Sequence, residues 1–577
     1  MKRQIFKYSL FTLILSFLCH STFAQEALKS TEEEYYDFLS LQGIVERPTL
    51  GYRTLSDSVW TFKEVESYEP NGDGTFSLLR QPGQQSDSNI WKNNNLGTTF
   101  TLWEAPTPAS NWFVRGIKQG FSARIYGPEW FNSYNTAAPY GQNDGALWQG
   151  RGYNTALTGG LRLEGYGFEV TFKPQVSWSQ NLGFEYIPGV YGDTHSYNWK
   201  GNVDLVQRYG DTSFWNFDWG DSEIRWSWHS LTFGFGNQNP WLGPAQLNPM
   251  LGSNNAPSYT KFDAGLRKLN ITLPYLNWDL GNIEGRIWVG KLLESNYFDK
   301  NENNNERMLV AMSASYEPTY IPGLSIGANR VFITYWRTEN LKYILRLFTA
   351  SRSNALASSG NDEDQKISLF AQWSFPQTGF RVYGEYGFDD FSSNERTNPF
   401  HTGIYTIGIQ QNIPFFWNLK SELSFEWNNF EMSQDFQFQW AYMGYYAHGF
   451  VLQGYTNKGQ ILGAGSGYFG NSQFLQYKVY YPKGYTAVKF HRYCPNNNSV
   501  YSKAVNASSN NSNSELSKNW YANFETYFCW GAESLYYIIP DFSIRLSYMY
   551  IKSFNQNYIK AKHIYNNSIT IELKFTL

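Results

Sequence analysis

Two sets of carboxylates in this chain are spaced for acid–base chemistry: Glu385 with Asp389 and Asp390, and Asp218 with Asp221 and Glu223. Glycoside hydrolysis needs two acids about 5–10 Å apart, and on a strand Glu385 and Asp389 share a face. Acids and bases also line any wet barrel lumen, and that reading is preferred. The seven histidines form no metal-ligand spacing, and Ser222 and Ser227 lack a nucleophile-elbow setting. No catalytic constellation, cofactor or metal is therefore expected. Binding chemistry is better supplied. Trp241, Asn254, Asn255, Tyr455 and Asn457 combine rings that stack on apolar sugar faces with amides that bond ring hydroxyls. The competing reading is structural, since such rings also form membrane girdles and buried amides pin loops.

These residues sit in two blocks dense in glycine and proline, which punctuate turns and ordered loops. The first holds Asp204-Leu-Val-Gln-Arg208-Tyr-Gly210, Gly220-Asp-Ser-Glu223-Ile-Arg225, Trp241-Leu-Gly243-Pro244 and Ser253-Asn254-Asn255-Ala256-Pro257. The second runs from His448 through Gly454-Tyr455-Thr-Asn457-Lys-Gly459-Gln460 to Gly467. Its glycines do not fit a phosphate-binding fold, which needs a helix start after a strand. They suit close approach of another backbone. Asp204, Arg208, Glu223 and Arg225 are expected to form lumen pairs, and His448 to be a hydrogen-bonding residue of the lumen or a loop.

The order and spacing of these motifs resemble the Wzi-type capsule-assembly outer-membrane proteins. Departures fall at Asp221, Leu242 and Ala245, where that family often has Gln, Trp and Gly. The resemblance implies an eighteen-stranded barrel with helical structure at its periplasmic end. It also implies a role in binding exported capsular or related surface polysaccharide and holding it on the cell. The expected partners are that polysaccharide, outer-membrane lipid and, as a further candidate, the polysaccharide export machinery. The alternative is a porin-like channel for small solutes or saccharides.

The chain opens on Met1-Lys2-Arg3, an apolar run from Tyr8 to Leu18, and small residues at Thr22 and Ala24. That pattern predicts a secretory signal cleaved after Ala24, hence export to the outer membrane. Aromatic residues make up 19% of the chain and charged residues only 16%, yet the mean hydropathy is negative. After residue 24 no apolar run approaches the roughly 20 residues of a membrane helix. A barrel reconciles these facts, because half of each strand faces a wet lumen. The net charge of −3 gives no reason to expect nucleic acid as a partner. Cys494 and Cys529 are compatible with one bridge or two free thiols.

Residues 25–100 read as an N-terminal segment outside the barrel wall. Its helix opens on a Thr31–Glu34 capping box and ends at Gly43. From residue 101 to 577 the period becomes two, as at 160–172, 379–388 and 419–427. The final strand is the clearest, with Ile569, Ile571, Leu573, Phe575 and Leu577 alternating with Thr570, Glu572, Lys574 and Thr576. Short connections near 318–323, 375–379, 414–418 and 539–541 contrast with long polar ones at 299–307, 351–365 and 494–518. That asymmetry is the layout of an outer-membrane barrel with its long loops outside, and the length fits about 16–20 strands. The fold class is all-β: a transmembrane antiparallel barrel with a small N-terminal helical segment.

Overall fold

The computed structural model describes residues 31–70, 76–82, 98–189, 194–200, 202–349, 363–390, 397–439, 443–465, 467, 469–498, 500 and 523–575. The signal-like start, Leu577 and most of the 351–365 and 494–518 connections lie outside them. A single antiparallel sheet closes on itself. Its strands are β1 (Gly120–Asn135), β2 (Gly152–Gly165), β3 (Phe168–Phe172 with Gln175–Ser179) and β4 (Phe214–Asp218 with Glu223–Trp228). Next come β5 (Leu231–Gly236), β6 (Lys261–Leu273), β7 (Trp278–Leu293), β8 (Glu306–Pro318) and β9 (Leu324–Tyr335). The second half holds β10 (Glu363–Phe375), β11 (Phe380–Asp389), β12 (Ile404–Pro414), β13 (Lys420–Asn429) and β14 (Asn471–Tyr481). The wall ends with β15 (Gly484–Cys494), β16 (Thr526–Ile539), β17 (Phe542–Phe554) and β18 (Ile564–Phe575). Pairing of β18 with β1, from Ser568↔Asn135 to Lys574↔Glu129, completes an eighteen-stranded barrel.

Each strand sorts its side chains by period two. On β5, Leu231, Phe233 and Phe235 are exposed while Thr232, Gly234 and Gly236 are buried. On β18, Ile569, Ile571 and Phe575 face out and Glu572 and Lys574 face in. Among the described residues no helix is long and apolar enough to cross a membrane. The apolar, aromatic outer face of the strands meets the lipid instead, as in outer-membrane barrels. Connections alternate as expected. All those on one rim are short, such as 166–167, 229–230 and 540–541, and those on the other rim are longer and include 180–213 and 430–470.

Helix α1 (Thr31–Leu41) lies inside the short-turn mouth. Tyr35, Phe38 and Leu39 pack on Tyr480, Tyr485, Leu535 and Tyr537 of the wall. Gly43, at φ +72°, turns the chain out of the helix, and Gln42 and Gly43 bond back to Leu39 and Ser40. The Glu34 carboxylate binds Lys478 of β14; the Thr31 side chain of the expected capping box lies outside the described residues. Asp37 binds Arg381 of β11 at 2.9 Å. A further strand, Thr98–Glu104, pairs with the Gly120–Ile125 end of β1.

The inward face carries a continuous ion network. Arg225 donates to Glu223 at 2.7 Å and to Asp263 at 2.7 Å. Arg286 joins Asp263 at 2.7 Å to Asp57 of the N-terminal segment at 3.3 Å, and Arg267 reaches the same Asp57 at 2.8 Å. Three wall strands, β4, β6 and β7, and the N-terminal segment are thus tied by charges that, Arg267 apart, are buried. Removing one partner of such a set strands the others, at a cost of about 3–5 kcal/mol. Asp263→Ala is predicted to lower the temperature of the heat-induced gel-mobility shift of the folded barrel. Asp211→Ala, at an exposed loop residue outside this network, leaves it unchanged.

Candidate functional site

The lumen is filled by chain with little regular structure. Segments 44–62, 139–149, 237–260 and 443–465 enter it, and backbone taken from water needs partners for its N–H groups. Wall carboxylates supply many of them. Glu284 of β7 accepts from the amides of Leu50, Gly51 and Tyr52 at 2.8, 3.1 and 2.7 Å. Glu426 of β13 accepts from Gln246, Leu247 and Asn248 at 2.6, 3.1 and 2.8 Å. Glu385 of β11 accepts from Ala245 at 3.3 Å and Met250 at 3.2 Å. These three glutamates were not singled out as a set by the sequence. The signal was there, as acids on the inward face of alternating strands.

The two motif blocks meet inside the barrel. Ser253 N donates to Leu462 O at 3.0 Å, and Tyr446 OH to Met250 O at 2.8 Å. Trp241 is 1% exposed and its indole donates to Ala245 O at 2.9 Å; it pairs with Arg53 of the N-terminal segment. Tyr455, equally buried, donates to Leu251 O at 2.6 Å. Asn457 accepts from Leu293 N at 2.9 Å and donates to Pro257 O at 3.0 Å. Asn254 is buried and its carbonyl accepts from Gly145 N at 2.6 Å. Trp241, Tyr455 and Asn457 thus spend their side-chain polar groups on buried irregular backbone, and Asn254 joins that filling through its main chain. Asn255 alone of the five borders the large cavity, while its amide donates to Ile461 O at 3.0 Å.

The motif glycines have steric causes. Gly243 sits at φ +79°, and a Cβ there would lie 2.4 Å from the Glu385 carboxylate. Gly454, at φ +63°, would place one 2.1 Å from Tyr446 O. Pro244 joins Gly243 to the amides that Glu385 and Glu426 hold. Glu223 and Arg225 form the expected lumen pair. Asp204 and Arg208 do not pair as expected. Asp204 instead accepts from Ser295 N and Oγ at 2.7 and 2.6 Å, and Arg208 binds Asp211 at 2.8 Å. Arg208 closes its own loop, whereas Asp204 ties that loop to the one that follows β7.

The groups considered for catalysis or metal binding are also engaged. Glu385 holds amides, Asp389 takes Lys366 at 2.6 Å, and Asp221 takes Lys173 at 3.0 Å. Asp364, Asp390 and His448 cluster closely enough to suggest a metal. However, His448 Nδ1 accepts from the amides of Phe450 and Val451 at 3.2 and 3.0 Å, which puts the proton on Nε2. A metal-bound imidazole needs the reverse arrangement, with the far N–H donating. Nε2 instead donates to Asp390 Oδ2 at 3.1 Å, so His448 clamps the 443–465 segment to the rim. Cys494 and Cys529 are buried free thiols.

Packing is uneven. Segments 237–260 and 443–465 form an apolar core with the wall from β7 to β9, through Leu242, Met250, Tyr446, Trp288 and Leu309. Beside β14–β18 a cavity of about 570 Å³ remains. This shaft is bordered by Glu34 and Asp37 of α1 at one end and by long-loop residues such as Glu185, Glu525 and Asn557 at the other. Asp144 and Glu525 border it too, and burial pushes each carboxyl up to about 7. Hydrogen bonds from Gln149 to Asp144, and from Tyr527 to Glu525, oppose the rise without cancelling it.

A carboxyl with a higher pKa folded than unfolded holds its proton more tightly in the fold. Stability is then greatest below the unfolded value near 4 and is lost as pH rises toward 7. Asp37 and Asp57, held below the usual carboxylate range by neighbouring arginines against the opposing effect of burial, lose their contributions only below that window. Hydrogen exchange of residues 139–149, corrected for intrinsic rates, is predicted to be slower at pH 5.5 than at pH 8. Asp144→Asn flattens that dependence.

The family model described as capsule assembly protein Wzi matches residues 139–520, which contain both motif blocks. Among solved structures, Wzi of Escherichia coli, an outer-membrane protein involved in group 1 capsule assembly and a carbohydrate-binding β-barrel, is 14% identical. That likeness covers 78% of this chain and 84% of that one, with a TM-score of 0.49. OprB of Pseudomonas putida is 11% identical over 79% of this chain and 94% of its own, with a TM-score of 0.36. OprD of Pseudomonas aeruginosa is 8% identical over 79% and 93%, with a TM-score of 0.37. None of the curated proteins matches. The family model spans more than half of the sequence, and the chain belongs to the Wzi capsule assembly protein family.

Proposed function

We propose that this protein binds capsular or a related surface polysaccharide at the long-loop side of an outer-membrane barrel and holds it on the cell, without covalent chemistry. The observation that carries the reading is the form of the lumen in a chain of this family. Wall carboxylates fix irregular segments across one side of it, and the remaining shaft is bordered by hydroxyl, amide and tyrosine groups. Such a lumen suits retention of a polymer end better than passage of solutes. Asn255 is the one sequence-singled residue assigned to the ligand; Trp241, Asn254, Tyr455 and Asn457 act by fixing the segments behind it. In this reading residues 1–24 are a secretory signal removed on export, and the polysaccharide export machinery is the partner that delivers the polymer.

Deleting the gene and quantifying polysaccharide on the cells and in the medium tests the proposal. The expected result is an unchanged total with the cell-bound share reduced severalfold, restored by the wild-type gene. An unchanged cell-bound share contradicts it.

A further inference from the structure

The shaft carries more information than its existence. Its volume of about 570 Å³ lies within the roughly 300–1,000 Å³ of small-ligand sites. Near its long-loop end Tyr493 of β15 and Tyr527 of β16 face each other directly across the ladder. Their rings stack with centroids 4.7 Å apart and planes within 4°. Both border the shaft, as do Ser547 and Ser568 on the neighbouring strands. Tyr527 OH donates to Glu525 at 2.5 Å, and Asn557 N donates to the other oxygen of that carboxylate at 3.1 Å. A rigid aromatic platform edged by fixed acceptors is thereby set into a polar shaft.

The charges of the lining decide what the shaft accepts. Among the described residues seven carboxyl groups border it: Glu34, Asp37, Glu185 and Glu533, each held by a lysine or arginine, and Asp144, Glu422 and Glu525. Among the described residues three lysine and arginine side chains do so, Lys478, Lys489 and Arg545. Each of these is already paired: Lys478 with Glu34, Lys489 with Glu533 at 2.9 Å, and Arg545 with Glu533 at 3.7 Å and with Glu572. A carboxylate brought in on a ligand would lose water and gain no new counter-ion, at a high cost. An uncharged pyranose meets no such penalty. Its C–H face packs on an aromatic ring, and its hydroxyls exchange hydrogen bonds with the carboxyl groups that no cation among the described residues holds, Asp144, Glu422 and Glu525.

We infer that the shaft is a saccharide subsite that takes a short uncharged stretch of the polymer, stacked against the Tyr493–Tyr527 platform, and excludes units bearing a carboxylate. This rests on the polysaccharide reading above. Acidic units of the same polymer stay at the long-loop rim.

The test uses the full-length protein in detergent and oligosaccharides released by partial hydrolysis from the cells' own surface polysaccharide. Anion exchange separates these into uncharged and acidic fractions, and each is titrated by calorimetry. Tyr527→Ala removes half the platform, and Ser547→Trp fills the shaft without touching it; heat-modifiable gel mobility confirms that each is folded. The expected result is binding of the uncharged fraction, weakened at least tenfold by either variant, with the acidic fraction at least tenfold weaker in the wild type. Equal or tighter binding of the acidic fraction, or uncharged binding indifferent to both variants, overturns the inference. Failure of the wild type to bind either fraction overturns the polysaccharide reading as well.

Discussion

Carboxylates on the inner wall hold the backbone amides of the chain that fills the barrel, and the rest of the structure depends on that interaction. Segments 44–62 and 237–260 have almost no secondary structure of their own, so their N–H groups cannot be satisfied internally. Glu284, Glu385 and Glu426 take three, two and three of them respectively, each carboxylate facing inward because period two puts it there. Hydrogen bonds to an ionised acceptor are the stronger kind, and an unmade one leaves a buried donor that costs about 1–3 kcal/mol. Placement of these segments is therefore specified by the wall, not by their own propensity.

That constraint divides the lumen. Where the carboxylates grip, aromatic and aliphatic side chains of the inserted segments close into a core with β7–β9. Along β14–β18 the inward residues instead pair with one another, Lys489 with Glu533 and Arg545 with Glu572, and leave space. Helix α1 borders that space at the short-turn end through Glu34 and Asp37, both bound to wall cations. One barrel thus combines a fixed filling with a polar shaft, and the binding proposal follows from the two together.

Much of this was legible in the sequence. Alternation in β11, β13 and β18 marks inward and outward faces, and the contrast of short and long connections marks the two rims. The resemblance carried by the two motif blocks supplied the strand number. Roles within those blocks were less legible. Trp, Tyr and Asn look alike in sequence whether they meet a sugar or a neighbouring carbonyl, and only burial separates the cases, as for Trp241 and Asn457. Pairing across long sequence distances was hidden too: Asp204 has Arg208 four residues away, yet binds Ser295. Tyr493 and Tyr527 gave no local signal, because their stack exists only through the β15–β16 register.

A lumen that is filled serves binding rather than passage. Recording from the purified full-length protein in planar lipid bilayers tests it most directly. A filled lumen leaves the membrane silent, without discrete conductance steps, across the voltages at which porins conduct. Stable, stepwise, ion-selective currents from the wild-type protein would contradict it and return the porin-like reading to first place.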